Sequence, residues 1–312
     1  TTGAGRLRHH REQTVPKLDA SGVFTICPTP FDDELNVDYA SIGSLVQFLG
    51  GTGVTGLAIL GFMGEAHNLS ELERRQVTRE FIAAADKRLP VWVGLRGLGL
   101  PAVIEQAAQA REMGAAAVFV APPDVGGDGY LFDYYEAVAR SIDIPVIIHD
   151  FPASFGTQIS PAVVRRLALE GHVHAIKMEE PPVGQKITAI LSGLNDPERM
   201  RVFGGLGGVF FLEELYRGAV GTMTGFAFPE ILVSIYDKFT SGDTEAAAAL
   251  FDRYCPLLRY EFQPKIGLAL RKYIYQRRGA IRSHAIRPPG MRIDEKTIRE
   301  LESTVQRVGL KL

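Results

Sequence analysis

Eight short apolar runs alternate with longer amphipathic segments along most of this 312-residue chain. The runs are rich in Val, Ile and Ala, and they are continuously apolar rather than alternating with polar residues. That pattern is typical of strands in a parallel sheet that helices cover on both faces. The runs occupy residues 22–31, 54–61, 90–96, 116–123, 144–152, 173–179, 200–207 and 220–226.

The number and regularity of these units predict an α/β fold, a closed (β/α)₈ barrel, which usually needs about 250 residues. An open doubly wound sheet is the alternative. No glycine-rich dinucleotide fingerprint follows any of the runs, and eight regular units favour closure. From about Gly242 the chain reads as helices only. We therefore predict an N-terminal arm over residues 1–20, the barrel over 21–241 and a C-terminal helical extension over 242–312.

The composition excludes several classes of function. With 46% hydrophobic residues, 22% charged residues and a net charge of −2, the chain carries no basic excess that would indicate a nucleic-acid partner. No run of 18 apolar residues predicts a membrane span, and the polar N-terminus does not resemble a secretory signal. Cys27 and Cys255 are the only cysteines, and they lack metal-type spacing, which favours the cytoplasm. We expect no metal and no cofactor.

Lys177 is the one strong nucleophile at the end of a predicted strand, in the stretch VHAIKMEEPP. Active sites of (β/α)₈ barrels lie at the C-terminal ends of the strands. A lysine buried there has a lowered pKa, and its neutral amine can attack a carbonyl carbon to form a Schiff base. The residues alone leave a second interpretation open, in which Lys177 forms a salt bridge at the rim with Glu179 or Glu180.

Other strand ends supply further candidates. Glu179 lies two residues past Lys177 and should share its face of the strand. His149 lies near the end of the fifth run and is expected to titrate near neutral pH, so it is a candidate acid/base, or else a structural histidine. Arg96 could bind a carboxylate or simply lie on the rim. The glycines around Gly205 allow close backbone approach, although a tight turn would also need them.

Several segments together resemble the dihydrodipicolinate synthase/N-acetylneuraminate lyase family. GFMGEAHNLSELER (61–74) is similar to its glycine-rich turn and capped helix, VIIHDFPASFG (146–156) to its Tyr-Asn-x-Pro segment, and AIKMEE to the segment with its Schiff-base lysine. The resemblance covers residues 20–290, roughly. It implies a class I lyase that binds pyruvate or another small 2-oxo acid as an imine on Lys177. It also implies a homotetramer or homodimer.

This sequence departs from the family pattern at several functional positions. Phe62 and Met63 replace two threonines, His149 replaces a tyrosine, and Ser154 replaces an arginine that grips the second substrate of the synthases. The resemblance and the strand positions together assign catalysis to Lys177, His149 and Glu179. We predict substrate binding by the backbone N–H groups around Phe62, Met63 and Gly64, and by Arg96, Gly205 and Met223.

The tail RYEFQPKIGLALRKYI resembles the branch of this family that dehydrates 2-keto-3-deoxy sugar acids. Dehydration needs no second carbonyl substrate, which fits Ser154 in place of arginine. The sequence therefore predicts a dehydratase or aldolase of a 2-keto-3-deoxy sugar acid. Two alternatives stay open: a divergent 4-hydroxy-tetrahydrodipicolinate synthase, and a non-catalytic 2-oxo-acid sensor.

Overall fold

Eight parallel strands close into a barrel in chain order in the computed structural model, which describes residues 18–97, 99–124 and 127–312. All strand residues are buried except Arg201, which is half-buried, as continuously apolar runs require. The predicted (β/α)₈ barrel is confirmed. The strands are β1 (Gly22–Ile26), β2 (Gly56–Ile59), β3 (Val91–Leu95), β4 (Ala117–Val120), β5 (Val146–Asp150), β6 (Ala175–Met178), β7 (Arg201–Gly204) and β8 (Gly221–Thr224).

Helices cover the outside of the barrel and continue past its last strand. Within the described ranges, none of them is long and apolar enough to cross a membrane. Residues 1–17 of the predicted arm lie outside the described residues, and the division into three parts stays a prediction. The helices are α1 (Tyr39–Gly50), α2 (Glu71–Ala85), α3 (Leu100–Met113), α4 (Asp128–Ser141), α5 (Pro152–Phe155), α6 (Pro161–Leu169), α7 (Val183–Leu191), α8 (Phe211–Tyr216), α9 (Pro229–Thr240), α10 (Thr244–Glu261), α11 (Gly267–Arg277) and α12 (Glu295–Arg307).

The start of α2 is fixed by a capping box directly after the glycine-rich turn. The Ser70 side chain accepts a hydrogen bond from the Glu73 N–H, and the Glu73 carboxylate accepts one from the Ser70 N–H. This satisfies two backbone donors that a helix start leaves without partners. The cap therefore holds the turn at the mouth of the barrel.

Large side chains fill the barrel interior below the mouth. The Phe24 ring stacks on Trp92 with centroids 3.6 Å apart, and Phe203 meets Phe24 edge-on at 5.5 Å. Met223, predicted to contact substrate, lies in this cluster and is fully buried; its substrate contact stays a prediction. Because the interior is packed, a ligand of the barrel binds at the ends of the strands rather than between them.

A buried ion pair joins the C-terminal helices to the turn after β2. Lys272 on α11 donates to Glu65 at 2.6 Å and to the Ala285 carbonyl at 2.9 Å, and neither charged residue is more than 1% exposed. Burial lowers the pKa of Lys272 to about 8, although Glu65 opposes the shift. Glu65 also accepts the Arg287 N–H at 3.2 Å, so its contacts are structural.

We expect Lys272→Met to destabilise the protein by about 3–5 kcal/mol, because it leaves the Glu65 carboxylate buried without its cation. The matched control is Arg299→Met, which breaks an exposed pair with Glu295 and should cost less than about 1 kcal/mol. Urea unfolding of both variants gives the two values. Equal losses would show that the buried pair contributes no more than the exposed one.

Candidate active site

Lys177, His149 and Glu179 meet in the mouth of the barrel. The Lys177 amine lies 3.1 Å from His149 Nε2, which lies 3.0 Å from Glu179 Oε2, and the same carboxylate oxygen contacts the amine directly. The three residues are only 3–6% exposed. The sequence predicted that these side chains would share a site, and the structure brings them together. Their chemical roles stay predictions.

The register of two neighbouring strands creates this contact. His149 on β5 is the direct cross-strand partner of Lys177 on β6. Residues two apart along a strand point to the same side of the sheet. Ile147 and Ala175 lie two residues before His149 and Lys177, and both belong to the cluster of side chains that fills the barrel interior. His149 and Lys177 therefore point into the barrel, one layer nearer the mouth.

Glu179 reaches the amine because β6 continues in an extended course past its last residue. Its N–H donates to the Asp150 carbonyl at 2.9 Å, and its Oε1 accepts the Leu206 N–H at 2.9 Å. A side chain at Gly205 would begin 2.7 Å from Oε1, so only glycine leaves room for the carboxylate. Gly205 thus clears space for Glu179. Glu180, the alternative partner of Lys177, pairs instead with Lys186.

Aromatic rings surround His149. Phe155 and Phe119 meet the imidazole edge-on, with centroids at 4.9 and 5.5 Å, and Phe151 stacks at 6.2 Å. Phe62, for which the resemblance predicts a threonine in the family, packs against two of these rings, Phe151 at 5.7 Å and Phe155 at 5.4 Å between centroids. The rings remove water from the imidazole, which disfavours its charged form.

Burial sets the charge states in the site. Burial and the charge of Lys177 lower the pKa of His149 to about 4, although Glu179 opposes this. The expectation of titration near neutral pH is therefore wrong in the folded protein. Burial also lowers the pKa of Lys177, against the effect of Glu179. Burial alone would raise the pKa of Glu179, but Lys177 and the hydrogen bond with His149 outweigh it and hold the pKa at about 2.

A cavity of about 440 Å³ opens beside the imidazole at the ends of β2 to β5. Its wall includes His149 and not Lys177, so a ligand that enters from this side meets the imidazole first. Arg96 also lines it, with its guanidinium 5.1 Å from the centre of the Phe155 ring and 3.9 Å from the Asp124 carboxylate. Almost half of the Arg96 side chain is exposed. This position of Arg96 is compatible with both predicted roles, a residue that binds a carboxylate and a residue that only lies on the rim.

The glycine-rich turn presents free N–H groups. Gly64 and Glu65 donate back within the turn, to the carbonyls of Gly61 and Phe62 at 3.1 and 3.0 Å. The N–H groups of Phe62 and Met63 have no acceptor among the described residues. Successive unpaired N–H groups in a turn can form an anion-binding concavity. The turn can therefore hold a carboxylate without the two hydroxyls that the family usually has there.

Sequence reasoning missed Arg271, a buried residue of α11 whose guanidinium reaches Met63 in the turn after β2. A signal was present in the stretch LALRKYI, where two adjacent cations interrupt an apolar run. Buried cations need partners, and α11 supplies both Arg271 and Lys272 to the mouth side of the barrel.

Comparison with known proteins identifies this barrel as a class I lyase. The chain belongs to the dihydrodipicolinate synthetase family, whose model matches residues 19–308. The predicted family membership is confirmed, and it covers the barrel and the C-terminal helices together.

Relatives with sugar-acid activities match most of the chain. L-2-keto-3-deoxyarabonate dehydratase of Azospirillum brasilense is 29% identical over 293 residues, which cover 92% of this chain and 94% of the relative. A probable 2-dehydro-3-deoxy-D-pentonate aldolase of Escherichia coli is 29% identical over 235 residues, 74% and 78% of the two chains. The predicted resemblance to the sugar-acid branch is confirmed.

The fold also matches solved structures. The crystal structure of dihydrodipicolinate synthase from Rhodopseudomonas palustris superimposes with a TM-score of 0.88 at 34% identity, covering 93% of this chain and 99% of that one. Both synthases and sugar-acid enzymes are thus similar to this chain, and the specific reaction must be argued from the site.

Proposed function

We propose that the protein is a dehydratase or aldolase of a 2-keto-3-deoxy sugar acid that works through a Schiff base on Lys177. The observation that carries the proposal is the buried contact of the Lys177 amine with His149 and Glu179. The imidazole stands where synthases have a tyrosine, and no threonine stands in the turn beside it.

The first step uses the lowered pKa of Lys177, because only a neutral amine is nucleophilic. Nζ attacks the C2 carbonyl carbon of the 2-oxo acid to form a carbinolamine. Transfer of one amine proton to the C2 oxygen and uptake of a second proton from solvent release that oxygen as water and give the protonated imine. The ionised Glu179 carboxylate, in contact with Nζ, stabilises the positive charge of the iminium.

The second step removes a proton from C3, which the iminium makes acidic, and gives an enamine. His149 is neutral at pH 7, since its pKa is about 4, and it can accept a proton. If the enamine expels the C4 hydroxyl, which leaves as water after protonation, the result is dehydration. Aldol cleavage begins instead with loss of the C4 hydroxyl proton, and the C3–C4 bond then breaks. Both reactions need one acid/base group near the imine.

The strand-5 segment favours these reactions over the synthase reaction. Ser154, in the place of the substrate-binding arginine of synthases, is exposed on α5 and offers no charge for a second carboxylate. Dehydration and cleavage of a single substrate need no such group. The relatives with sugar-acid names support the same choice.

A substrate screen tests the proposal. We expect turnover with at least one 2-keto-3-deoxy pentonate or hexonate, measured as the keto-acid or aldehyde product. With pyruvate and aspartate semialdehyde we expect kcat/KM below about 10⁴ M⁻¹s⁻¹, the lower end for an enzyme with its own substrate. A higher value there would identify a synthase. Imine trapping without turnover of any substrate would identify a sensor.

The turn after β2 gives a structural prediction. In a complex with pyruvate we expect a carboxylate oxygen about 3 Å from the N–H groups of Phe62 and Met63, within hydrogen-bond distance. A crystal structure of the borohydride-reduced adduct would show the contact. A carboxylate more than about 4 Å from both nitrogens would exclude this binding mode.

We also propose, from the family resemblance, that the protein acts in the cytoplasm as a homotetramer or homodimer. Its two cysteines are free, and Cys27 is buried in the barrel wall. Size-exclusion chromatography with light scattering measures the oligomeric state directly.

A further inference from the structure

Arg271 places a buried guanidinium at the mouth of the barrel. The residue is 6% exposed on α11. Its Nη1 donates to the Met63 sulfur at 3.1 Å, and its Nε donates to Glu261 Oε2 at 3.4 Å. Its Nη2 is buried and has no hydrogen-bond partner in the described part of the chain. A buried cation with an unused donor is unusual, since leaving such a group unpaired is costly.

The existing partners compensate the charge only partly. A thioether sulfur is a weak acceptor. Burial raises the pKa of Glu261 to about 7, although Arg271 opposes the rise, so this carboxyl carries only part of a negative charge at neutral pH. Glu261 also accepts the Ala227 N–H at 3.1 Å. The guanidinium therefore retains the capacity to bind a further anion.

The guanidinium lies between two parts of the mouth. On one side is Met63 in the turn with free N–H groups. On the other is Gly207, just after β7, where a side chain would begin 2.9 Å from Nη2. The positive charge of Arg271 also contributes to the lowered pKa of the Lys177 amine, after the larger effect of burial. The Arg271 guanidinium is therefore close enough to the Lys177 amine to affect its pKa.

We propose that Arg271 is a substrate-binding residue whose Nη2 donates to the C1 carboxylate of the 2-oxo acid, beside the N–H groups of Phe62 and Met63. The inference rests on the proposed function, in which C2 is bonded to the Lys177 amine. C1 is bonded to C2, so its carboxylate lies in the immediate surroundings of the imine nitrogen. Arg271 supplies a charged donor beside a turn where the side chains of Phe62 and Met63 offer no hydroxyl.

This arrangement predicts selection for the anion itself. A hydrogen bond between charged groups in a buried site contributes more than a neutral one, and a planar guanidinium fits a carboxylate. Pyruvate should bind through Arg271, while its uncharged methyl ester should form the imine without that contact. If Arg271 instead bound a group at the far end of a sugar acid, its removal would have the same effect on pyruvate and on methyl pyruvate.

The test measures borohydride trapping of the full-length protein as a function of pyruvate or methyl pyruvate concentration. In Arg271→Met we expect the half-saturating concentration of pyruvate to rise about 10- to 100-fold, the value for one charge-assisted hydrogen bond. The value for methyl pyruvate should change less than about threefold, which is less than about 0.7 kcal/mol. Arg271→Lys should recover part of the affinity for pyruvate, since it keeps the charge and loses the planar fork.

Arg278→Met is the matched control. Arg278 follows α11 and pairs with Glu230 outside the site, so its loss should affect stability and leave pyruvate trapping unchanged. An unchanged pyruvate value in Arg271→Met would overturn the inference, as would equal losses for pyruvate and its ester. If the wild-type protein itself traps no 2-oxo acid, the proposed function fails, which is a separate result.

Discussion

Lys177→Ala is expected to abolish covalent trapping of pyruvate by borohydride, together with all turnover. Borohydride reduces an imine to a stable secondary amine, so a protein without the imine-forming amine cannot acquire the adduct. Lys177 has the geometry for this role, because its amine is buried, in contact with Glu179 and 3.1 Å from His149. Intact-protein mass spectrometry before and after reduction measures the adduct, and peptide mapping locates it.

Lys186→Arg is the control for this experiment. Lys186 is the neighbouring lysine on α7, but its amine is paired with Asp150 and Glu180 rather than with the site. The variant keeps that charge and removes its amine, so trapping should remain at the wild-type level. An adduct that persists on another lysine in Lys177→Ala would reject Lys177 as the nucleophile.

His149→Gln should lower kcat by about 10²- to 10⁴-fold while imine trapping survives, because proton transfer is lost and the amine remains. Glutamine can still hydrogen-bond to Glu179 but cannot take up a proton. The wild-type enzyme needs the neutral imidazole as a base. Since the folded pKa is about 4, below the ordinary 6.5, protonation should lower kcat/KM only as the pH falls towards 4. That acid limb should be absent from the variant.

Two further variants separate the candidates for this role. Glu179→Gln removes the rival acid/base group beside Lys177, and Glu180→Gln alters the adjacent carboxylate, which pairs with Lys186. Glu180→Gln should retain near-normal kcat. Near-normal turnover in His149→Gln, with a large loss in Glu179→Gln, would transfer the role to Glu179 and leave His149 as an orienting group.

The sequence alone determined the barrel and the place of its candidate nucleophile, Lys177. Continuously apolar runs identified all eight strands, because burial on both faces leaves a pattern that is readable along the chain. The capped start of α2 could also be predicted from the sequence, because the two residues of the capping box, Ser70 and Glu73, lie only three positions apart. Lys177 stood out because a lysine at the end of a buried strand is rare. Glu179 was then predicted to lie in the same site as Lys177, since residues two apart on a strand share a face.

The tertiary structure decided the electrostatics of the site. The pKa of His149 depends on its burial, to which Phe119 of β4 contributes, and on the charge of Lys177 of β6, so its lowered value could not be read from the strand that carries it. Arg271 reaches the mouth from the C-terminal helices by packing against Met63. Burial and charge depend on distances between residues far apart in sequence, and only the folded chain fixes those distances.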